Sequence, residues 1–226
     1  LRVLDEHQRV FKIVLSGGEP FLVPNIVDTI VALSKKHYVG LMTNLTSLKV
    51  EDFAARVDPS RITCIVASLH VKELQRHNLH DRFMKNAIIC RNSGFPLQIT
   101  TVAYPPLLSQ IDHFRESFRA EGLSFLLQPF RGWFKGRQYP RAYSEQQQRE
   151  LGFNPDLLNT HRRGELCNAG YNVVVIGPTG SIQPCTSIKT RLGSLQDGFS
   201  FRDQLTKCPA KRCDCPFYAY DPLLFK

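Results

Sequence analysis

The sequence predicts an α/β fold built on a parallel sheet. Five short apolar runs alternate with helical segments, and the runs begin near residues 11, 38, 62, 98 and 124. One βα unit therefore recurs about every 25–35 residues, as expected when each strand is followed by a crossover helix. Nearly continuous apolar strands are typical of a parallel sheet covered by helices. A doubly wound sheet and a β/α barrel both fit, and both place chemistry at the carboxyl ends of the strands.

Each element has its own local signal, and the signals change after residue 130. Apolar residues at helical spacing alternate with the strands, and glycines such as Gly94 and Gly122 end two of the helices. The predicted strands are 11–15, 38–42, 62–69, 98–103 and 124–128, and the predicted helices are 24–36, 50–57, 82–91 and 108–120. Residues 131–143 then predict a long loop, 144–151 a short helix capped by Ser144, and 171–184 a β-hairpin around a Gly-Pro-Thr-Gly turn.

Composition excludes several classes of protein. The chain has 226 residues, 42% of them hydrophobic, with 29 Lys and Arg against 20 Asp and Glu. These values are typical of a globular domain, and no stretch approaches the ~20 apolar residues of a membrane helix. No nucleic-acid motif accompanies the net charge of +9. Residues 131–141 carry four basic side chains and no acid, which indicates either a solvated loop or a surface for an anionic partner.

Polar residues follow the predicted strands at one rim of the sheet. The first strand ends in Ser-Gly-Gly-Glu-Pro, a turn in which two glycines let a ligand approach the backbone and a carboxylate can accept hydrogen bonds from an amine. Such a motif also occurs as a simple turn, and a single histidine at a strand end is more often structural. Together the rim residues predict a polar small-molecule site. They are Gly17, Gly18, Glu19, Pro20, Thr43, Asn44, Ser68, His70, Gln128 and Pro129.

The cysteines divide into two groups. Cys64 and Cys90 lie alone in apolar segments and are expected to be buried. Five of the seven cysteines fall in the last 60 residues: Cys167, Cys185, Cys208, Cys213 and Cys215. Without a secretory signal, clustered cysteines favour a metal or cluster site over disulfides, and the predicted hairpin is expected to bring Cys167 and Cys185 together. Spacing leaves an iron–sulfur cluster and a structural zinc site both open.

The ordered set of motifs resembles the radical S-adenosylmethionine (radical SAM) enzymes that carry a C-terminal SPASM or twitch-type extension. Residues 15–22 (LSGGEPFL) match the glycine-rich turn of that family, and residues 166–185 (LCNAGYNVVVIGPTGSIQPC) match its auxiliary-cluster hairpin. Residues 43–48, 67–70 and 128–132 fit the next strand ends in order. The resemblance spans nearly the whole chain.

The resemblance implies a partial (β/α)6 TIM-like barrel lacking its first strand over residues 1–143, and a cysteine-rich hairpin extension over 144–226. It also implies cleavage of S-adenosylmethionine (AdoMet) to a 5′-deoxyadenosyl radical that abstracts hydrogen from a substrate. The glycine-rich turn would hold the cofactor's amino group. By the same resemblance, Ser68 and His70 lie near its ribose and carboxylate, and Gln128 and Pro129 near its adenine.

The chain departs from the family at one essential point, because residues 1–226 contain no C-x3-C-x2-C motif for the radical-generating cluster. We expect that motif upstream of Leu1 in a longer enzyme. The rival interpretation is a degenerate homologue without the chemistry. Five C-terminal cysteines are too few for two auxiliary clusters. The expectation is one [4Fe–4S] cluster on Cys167, Cys185, Cys208 and either Cys213 or Cys215.

The implied partners follow from the same family. A SPASM-type extension favours a peptide or protein substrate over a small metabolite, and a flavodoxin or ferredoxin is expected as the electron donor in the cytoplasm. The basic segment 131–141 is expected to guide an acidic substrate. No nucleic acid and no membrane is expected as a partner. The alternative function is a non-catalytic α/β binding module whose cysteines hold structural zinc.

Overall fold

The computed structural model describes residues 2–153 and 163–210. The chain divides into two compact units, one formed by Val10–Phe153 and the other by the described parts of residues 1–9 and 154–226. The domain boundary that the sequence predicts between residues 143 and 144 stays a prediction. The helices are α1 (Arg2–Asp5), α2 (Ile26–Ser34), α3 (Lys49–Arg56), α4 (Val71–Arg76), α5 (His80–Asn92), α6 (Ile111–Ala120) and α7 (Glu145–Leu151).

A five-stranded parallel sheet forms the centre of the larger unit, which confirms the predicted α/β class. Its strands lie in the order β1-β2-β3-β4-β5. They are β1 (Lys12–Leu15), β2 (Tyr38–Thr43), β3 (Ile62–Ser68), β4 (Leu97–Ala103) and β5 (Ser124–Pro129). A doubly wound sheet reverses direction at a switch point, and these five strands do not. When each new parallel strand is added at the same edge of the sheet, right-handed crossovers put all the connecting helices on one face.

The two faces of the sheet differ in burial as this topology requires. Leu41, Ile65 and Ile99 are each at most 1% exposed on the helical face. Burying such a side chain stabilises the fold by about 1.5–3 kcal/mol. The opposite face carries apolar side chains that are 41–55% exposed: Val14, Met42, Val102 and Leu126. Among the described residues, helices therefore cover one side of the sheet, and the apolar strands supply an accessible second face.

One local prediction is wrong in the segment after β5, and one short helix that precedes β4 lies outside the predicted elements. Residues 131–143 are not a long loop, because β6 (Gly132–Phe134) and β7 (Arg137–Tyr139) pair as an antiparallel hairpin. The helix α4 was not predicted, because its six residues are too few to show a periodic pattern. The predicted cap of α7 is confirmed, since the Ser144 hydroxyl accepts a hydrogen bond from the Gln147 backbone N–H at 3.1 Å.

The smaller unit is built from short antiparallel strands. The predicted hairpin is confirmed in the pairing of β9 with β10, and it belongs to a four-stranded sheet of order β12-β11-β10-β9. A separate pair joins β8 to β13. The strands are β8 (Leu166–Cys167), β9 (Val175–Ile176), β10 (Ser181–Gln183), β11 (Gly193–Ser194), β12 (Gly198–Phe199) and β13 (Thr206–Lys207). Within residues 2–153 and 163–210, no helix has the length and apolar character needed to span a membrane.

Candidate active site

A cleft of about 270 Å³ lies at the carboxyl ends of β2 to β5, on the open side of the sheet. Of the predicted site residues, Ser68, His70 and Gln128 line it. Ser68 and Thr100 are neighbours in the register of β3 and β4. Thr100 also lines the cleft, and the remaining lining residues are Met42, Leu69, Val71, Lys72, Glu73, Thr101, Val102, Tyr104 and Leu107. The cleft thus combines an apolar floor with a few polar groups, the usual character of a small-molecule site.

The turn after β1 needs glycine at two successive positions. Gly17 and Gly18 have φ values of 88° and 54°, a left-handed conformation that costs other residues roughly 1–2 kcal/mol. Both residues are exposed, and a Cβ placed on either would have no atom within 4 Å. The glycines are therefore required by the backbone, and the space beside them is open to a ligand.

The carboxylate of Glu19 joins the ends of β1 and β2. Its Oε1 accepts hydrogen bonds from the Phe21 N–H at 3.1 Å and from the Thr43 hydroxyl at 2.7 Å. Its Oε2 accepts one from the Asn44 N–H at 2.6 Å. A carboxylate offers about four acceptor positions, so three serve the fold and one remains for a ligand amine. Glu19 thus fixes the glycine turn relative to Thr43 and Asn44.

The loop after β2 adopts a strained conformation that Asn86 stabilises. Leu45 is 1% exposed and has a φ of 55°, which is rare for a residue with a branched side chain. The Asn86 Nδ2 donates to the backbone oxygens of Leu45 at 2.8 Å and Ser47 at 3.0 Å. Sequence analysis missed Asn86. The sequence feature that could have indicated Asn86 is its position on the buried face of α5, between Phe83 and Cys90, where an amide side chain is unusual.

The ten predicted binding residues fall into three groups. Ser68, His70 and Gln128 line the cleft, and Glu19, Thr43 and Asn44 form the hydrogen-bonded group beside the exposed Gly17 and Gly18. Pro20 is buried as the first residue of a 3-10 turn. Pro129 is also buried, because the alternation along β5 turns it to the helical face while Gln128 is exposed on the other.

Tyr104 and Lys72 are cleft residues that the sequence did not indicate. The Lys72 Nζ lies 5.0 Å from the centroid of the Tyr104 ring, a cation–π arrangement at the rim of the cleft. The same ring makes edge contacts with Phe130 and Phe134 at 5.1 and 5.4 Å between centroids. Tyr104 therefore links the cleft to the hairpin of β6 and β7.

Tyr143 connects the ends of β4 and β5 beneath the cleft. Its hydroxyl donates to the Ala103 backbone oxygen and accepts from the Phe130 N–H at 3.1 Å. The side chain is buried, and burial raises its pKa to about 12. One phenol thus satisfies two backbone groups at the ends of adjacent strands.

We expect Tyr143→Phe to lower the free energy of unfolding by about 1–3 kcal/mol, because it leaves a buried carbonyl and a partly buried N–H without their partner. Urea denaturation measures this loss. The matched control is Tyr139→Phe, which keeps the ring that packs 4.7 Å from the Tyr143 ring. An equal loss in both variants would show that the Tyr143 hydroxyl contributes nothing specific.

The difference in free energy of unfolding between the wild type and Tyr143→Phe should depend on pH in a defined direction. Because the pKa of Tyr143 is raised from 10 to about 12 in the folded chain, the native state holds the proton more tightly than the unfolded state. The stability it contributes is complete below pH ~10 and is lost as the pH rises towards ~12. The difference between wild type and Tyr143→Phe should therefore shrink over that range. A difference that grows with pH would contradict the assignment.

Three of the five predicted metal-binding cysteines pack together in the smaller unit. Cys167, Cys185 and Cys208 are 6–7% exposed and form one buried group with Ala169. The Ala169 N–H lies 3.5 Å from the Cys167 Sγ and donates to it. Cys167 lies on β8, which pairs with β13 and not with the hairpin. Cys167 and Cys185 thus lie in one buried group, as expected, although Cys167 belongs to the pair of β8 and β13 and not to the hairpin of β9 and β10.

The described part of the smaller unit does not by itself complete a metal site. Within residues 2–153 and 163–210, no three His, Cys, Asp or Glu side chains are arranged to hold a metal ion, and the cysteines there are free thiols. Cys213 and Cys215 lie outside the described residues. Buried cysteines with an N–H···S contact suit a thiolate-ligated metal or cluster in their donor chemistry, and a fourth ligand would have to come from another part of the chain.

The fold is similar to that of several solved structures, although no protein-family model and no curated protein matches the sequence. Native anSMEcpe with bound AdoMet and Kp18Cys peptide matches with a TM-score of 0.61 and 17% identity, over 84% of this chain and 66% of that one. Native anSMEcpe with bound AdoMet gives 0.63 and 17%, over 88% and 67%. This chain thus spans just under two thirds of the first structure, and identities this low establish likeness of fold alone.

Proposed function

We propose that this chain contains the AdoMet-binding part of a radical SAM enzyme that modifies a peptide or protein. The observation that carries the proposal is the bonded group of Glu19, Thr43 and Asn44, which holds an exposed double-glycine turn at the ends of β1 and β2. Sequence resemblance to the radical SAM glycine-rich turn, and likeness of fold to structures with bound AdoMet, support the same assignment.

The sheet supports a partial (β/α)6 barrel without its first strand. Five parallel strands in sequential order, with helices on one face, are what an incompletely closed barrel requires. The accessible apolar side chains of the other face, such as Met42, Val102 and Leu126, would then line its interior. A large ligand could bind there because, in residues 2–153 and 163–210, these side chains remain accessible.

The proposed roles of the cofactor-binding residues follow from their positions. The backbone of Gly17 and Gly18, with the remaining acceptor position of Glu19, would bind the cofactor's amino group. Ser68 and His70 would lie beside its ribose and carboxylate, and the exposed Gln128 amide beside its adenine. Pro20 and Pro129 would act by shaping the adjoining backbone, since their side chains are buried.

A reduced [4Fe–4S] cluster beside bound AdoMet would supply the radical chemistry for hydrogen abstraction. That activity requires a C-x3-C-x2-C segment, and residues 1–226 do not contain one. We propose that an upstream segment supplies it and that a flavodoxin or ferredoxin supplies the electron. The peptides present in structures of similar fold support a peptide substrate. The coding sequence upstream of Leu1 tests the first point directly.

AdoMet binding by the 226-residue chain tests the central assignment. Saturation-transfer difference NMR detects weak binding, and we expect transfer to AdoMet that S-adenosylhomocysteine competes away. Free methionine and adenosine at equal concentration serve as controls, because they carry only part of the recognised groups. If AdoMet receives no more transfer than these controls, the proposed site is wrong.

We further propose one auxiliary [4Fe–4S] cluster held by Cys167, Cys185, Cys208 and either Cys213 or Cys215. These thiolates would bind the cluster iron, and the Ala169 N–H would donate to one of the sulfurs. The alternative, a binding module with structural zinc, uses the same buried cysteines. Metal content therefore separates the two proposals.

We expect Cys167→Ala and Cys185→Ala each to abolish stoichiometric iron and acid-labile sulfide after anaerobic reconstitution, since a four-thiolate cluster loses a ligand. Cys90→Ala is the control, because Cys90 is fully buried in the larger unit and burial raises its pKa to about 12. Stoichiometric zinc without sulfide in the wild type would defeat the cluster and favour the zinc module.

A further inference from the structure

The hairpin of β6 and β7 carries exposed charge that the proposed cofactor site does not use. It has no acidic residue, and its basic side chains, within and just beside the strands, are all exposed: Arg131, Lys135, Arg137 and Arg141. Trp133, the sole tryptophan of the chain, is 69% exposed on the same hairpin. We propose that this hairpin docks the peptide substrate and selects a segment rich in Asp and Glu. This inference rests on the proposed function.

The hairpin presents a defined outer face. Lys135 and Gly136 form its two-residue turn with φ values of 47° and 72°, and two successive left-handed residues match the twist of the flanking strands. Trp133 pairs with Gln138 across the hairpin, and Phe134 pairs with Arg137. Because alternate side chains point to opposite faces, Trp133 and Gln138 share one face, and Phe134 and the exposed Arg137 share the other.

The inner face of the hairpin is packed onto aromatic rings at the ends of β4 and β5. Phe134 contacts the Tyr104 ring at 5.4 Å, and Tyr139 contacts Phe130 at 5.7 Å and Tyr143 at 4.7 Å between centroids. Tyr104 also lines the cleft, so a peptide held by the hairpin lies beside the cleft opening.

The surface suits an acidic peptide better than a nucleic acid. Exposed cations without an intervening carboxylate raise the local concentration of an anionic partner. Binding of single-stranded nucleic acid relies on several rings that stack on successive bases. Of the three aromatic side chains on β6 and β7, Trp133 alone is exposed, because Phe134 and Tyr139 are turned inward. One exposed indole on a hairpin whose basic side chains are all exposed fits a peptide that combines carboxylates with an apolar residue.

Trp133 makes the test direct, because all tryptophan emission comes from the proposed surface. We titrate the full 226-residue chain with a short peptide containing four Asp or Glu residues and one Leu, and with its Asn and Gln counterpart. We expect the acidic peptide to shift the emission to shorter wavelength and to bind about tenfold more tightly than its counterpart. Raising ionic strength from about 0.05 to 0.5 M should remove that preference.

Charge variants distinguish binding by the basic side chains of the hairpin from attraction by the net positive charge of the whole chain. Lys135→Gln, Arg137→Gln and Arg141→Gln combined should weaken acidic-peptide binding about tenfold. The combined control Lys35→Gln, Arg82→Gln and Arg119→Gln makes the same charge change at exposed positions within helices or directly after one, and it should leave binding unchanged. Equal loss in both variants, equal binding of the uncharged peptide, or tighter binding of an oligonucleotide of the same charge would each overturn the inference.

The outcome is independent of the cofactor assignment, because the titration contains no AdoMet. Specific AdoMet binding combined with no preference for the acidic peptide defeats the docking inference alone. Failure to bind AdoMet combined with a retained acidic preference defeats the proposed function, and the hairpin then remains an anionic-peptide surface without an assigned reaction. The two proposals therefore fail separately.

Discussion

Glu19→Gln is expected to weaken AdoMet binding by about a hundredfold and to lower the free energy of unfolding by about 2–4 kcal/mol. The amide keeps one acceptor oxygen for the Phe21 N–H and the Thr43 hydroxyl. Its NH2 group then faces the Asn44 N–H, where the carboxylate oxygen accepts at 2.6 Å. Two donors at that distance repel, so the ends of β1 and β2 separate and the glycine turn moves.

Titration by saturation-transfer NMR measures the affinity, and urea denaturation measures the stability. Glu51→Gln is the matched control, since it removes the same charge from an exposed pair with Lys85, and exposed pairs contribute at most about 1 kcal/mol. Wild-type AdoMet affinity in Glu19→Gln would show that this carboxylate has no part in positioning the turn.

Asn86→Ala is expected to lower the free energy of unfolding by about 2–4 kcal/mol and to reduce AdoMet binding along with it. The substitution removes the amide that donates to the Leu45 and Ser47 backbone oxygens, and it leaves both carbonyls unpaired. Leu45 then relaxes from its left-handed conformation, which moves Asn44 away from Glu19. Saturation-transfer NMR measures the loss of AdoMet affinity, and urea denaturation measures the loss of stability.

Asn92→Ala, at the exposed end of the same helix, is the control for this variant. It removes an equal side chain from α5 and is expected to change stability by less than about 0.5 kcal/mol. The loop interpretation requires AdoMet affinity to fall in Asn86→Ala at temperatures where the protein is still folded. Stability loss with unchanged affinity of the folded protein would limit Asn86 to a structural role.

The sequence predicted the elements well and the contacts between them poorly. All five strands of the sheet and the cap at Ser144 followed from local patterns, because burial periodicity and capping depend on residues a few positions apart. The local pattern at residues 132–139 predicts a loop where the structure has a hairpin. Its turn is formed by Lys135 and Gly136, and a lysine in the left-handed conformation is not a residue that signals such a turn.

In the candidate site, too, local sequence identified some residues but not the contacts between them. Gly17, Gly18 and Glu19 were identifiable because they follow a strand directly. The partners of Glu19 lie 24 and 25 positions away at Thr43 and Asn44. Asn86 acts on a loop 41 positions earlier, and Tyr143 bonds a residue 40 positions earlier. Their spacing in the sequence indicates nothing about those bonds.

The sequence by itself determined the α/β class, the polar strand ends and the grouping of the C-terminal cysteines, because each depends on residue type and short-range spacing. Only the tertiary structure decided the sequential strand order, the open face of the sheet and the bonds that fix the glycine turn. The physical reason is that strand order and register set which distant side chains come within hydrogen-bonding distance. A periodic pattern determines which face a residue occupies, and it does not determine which strand lies next to it.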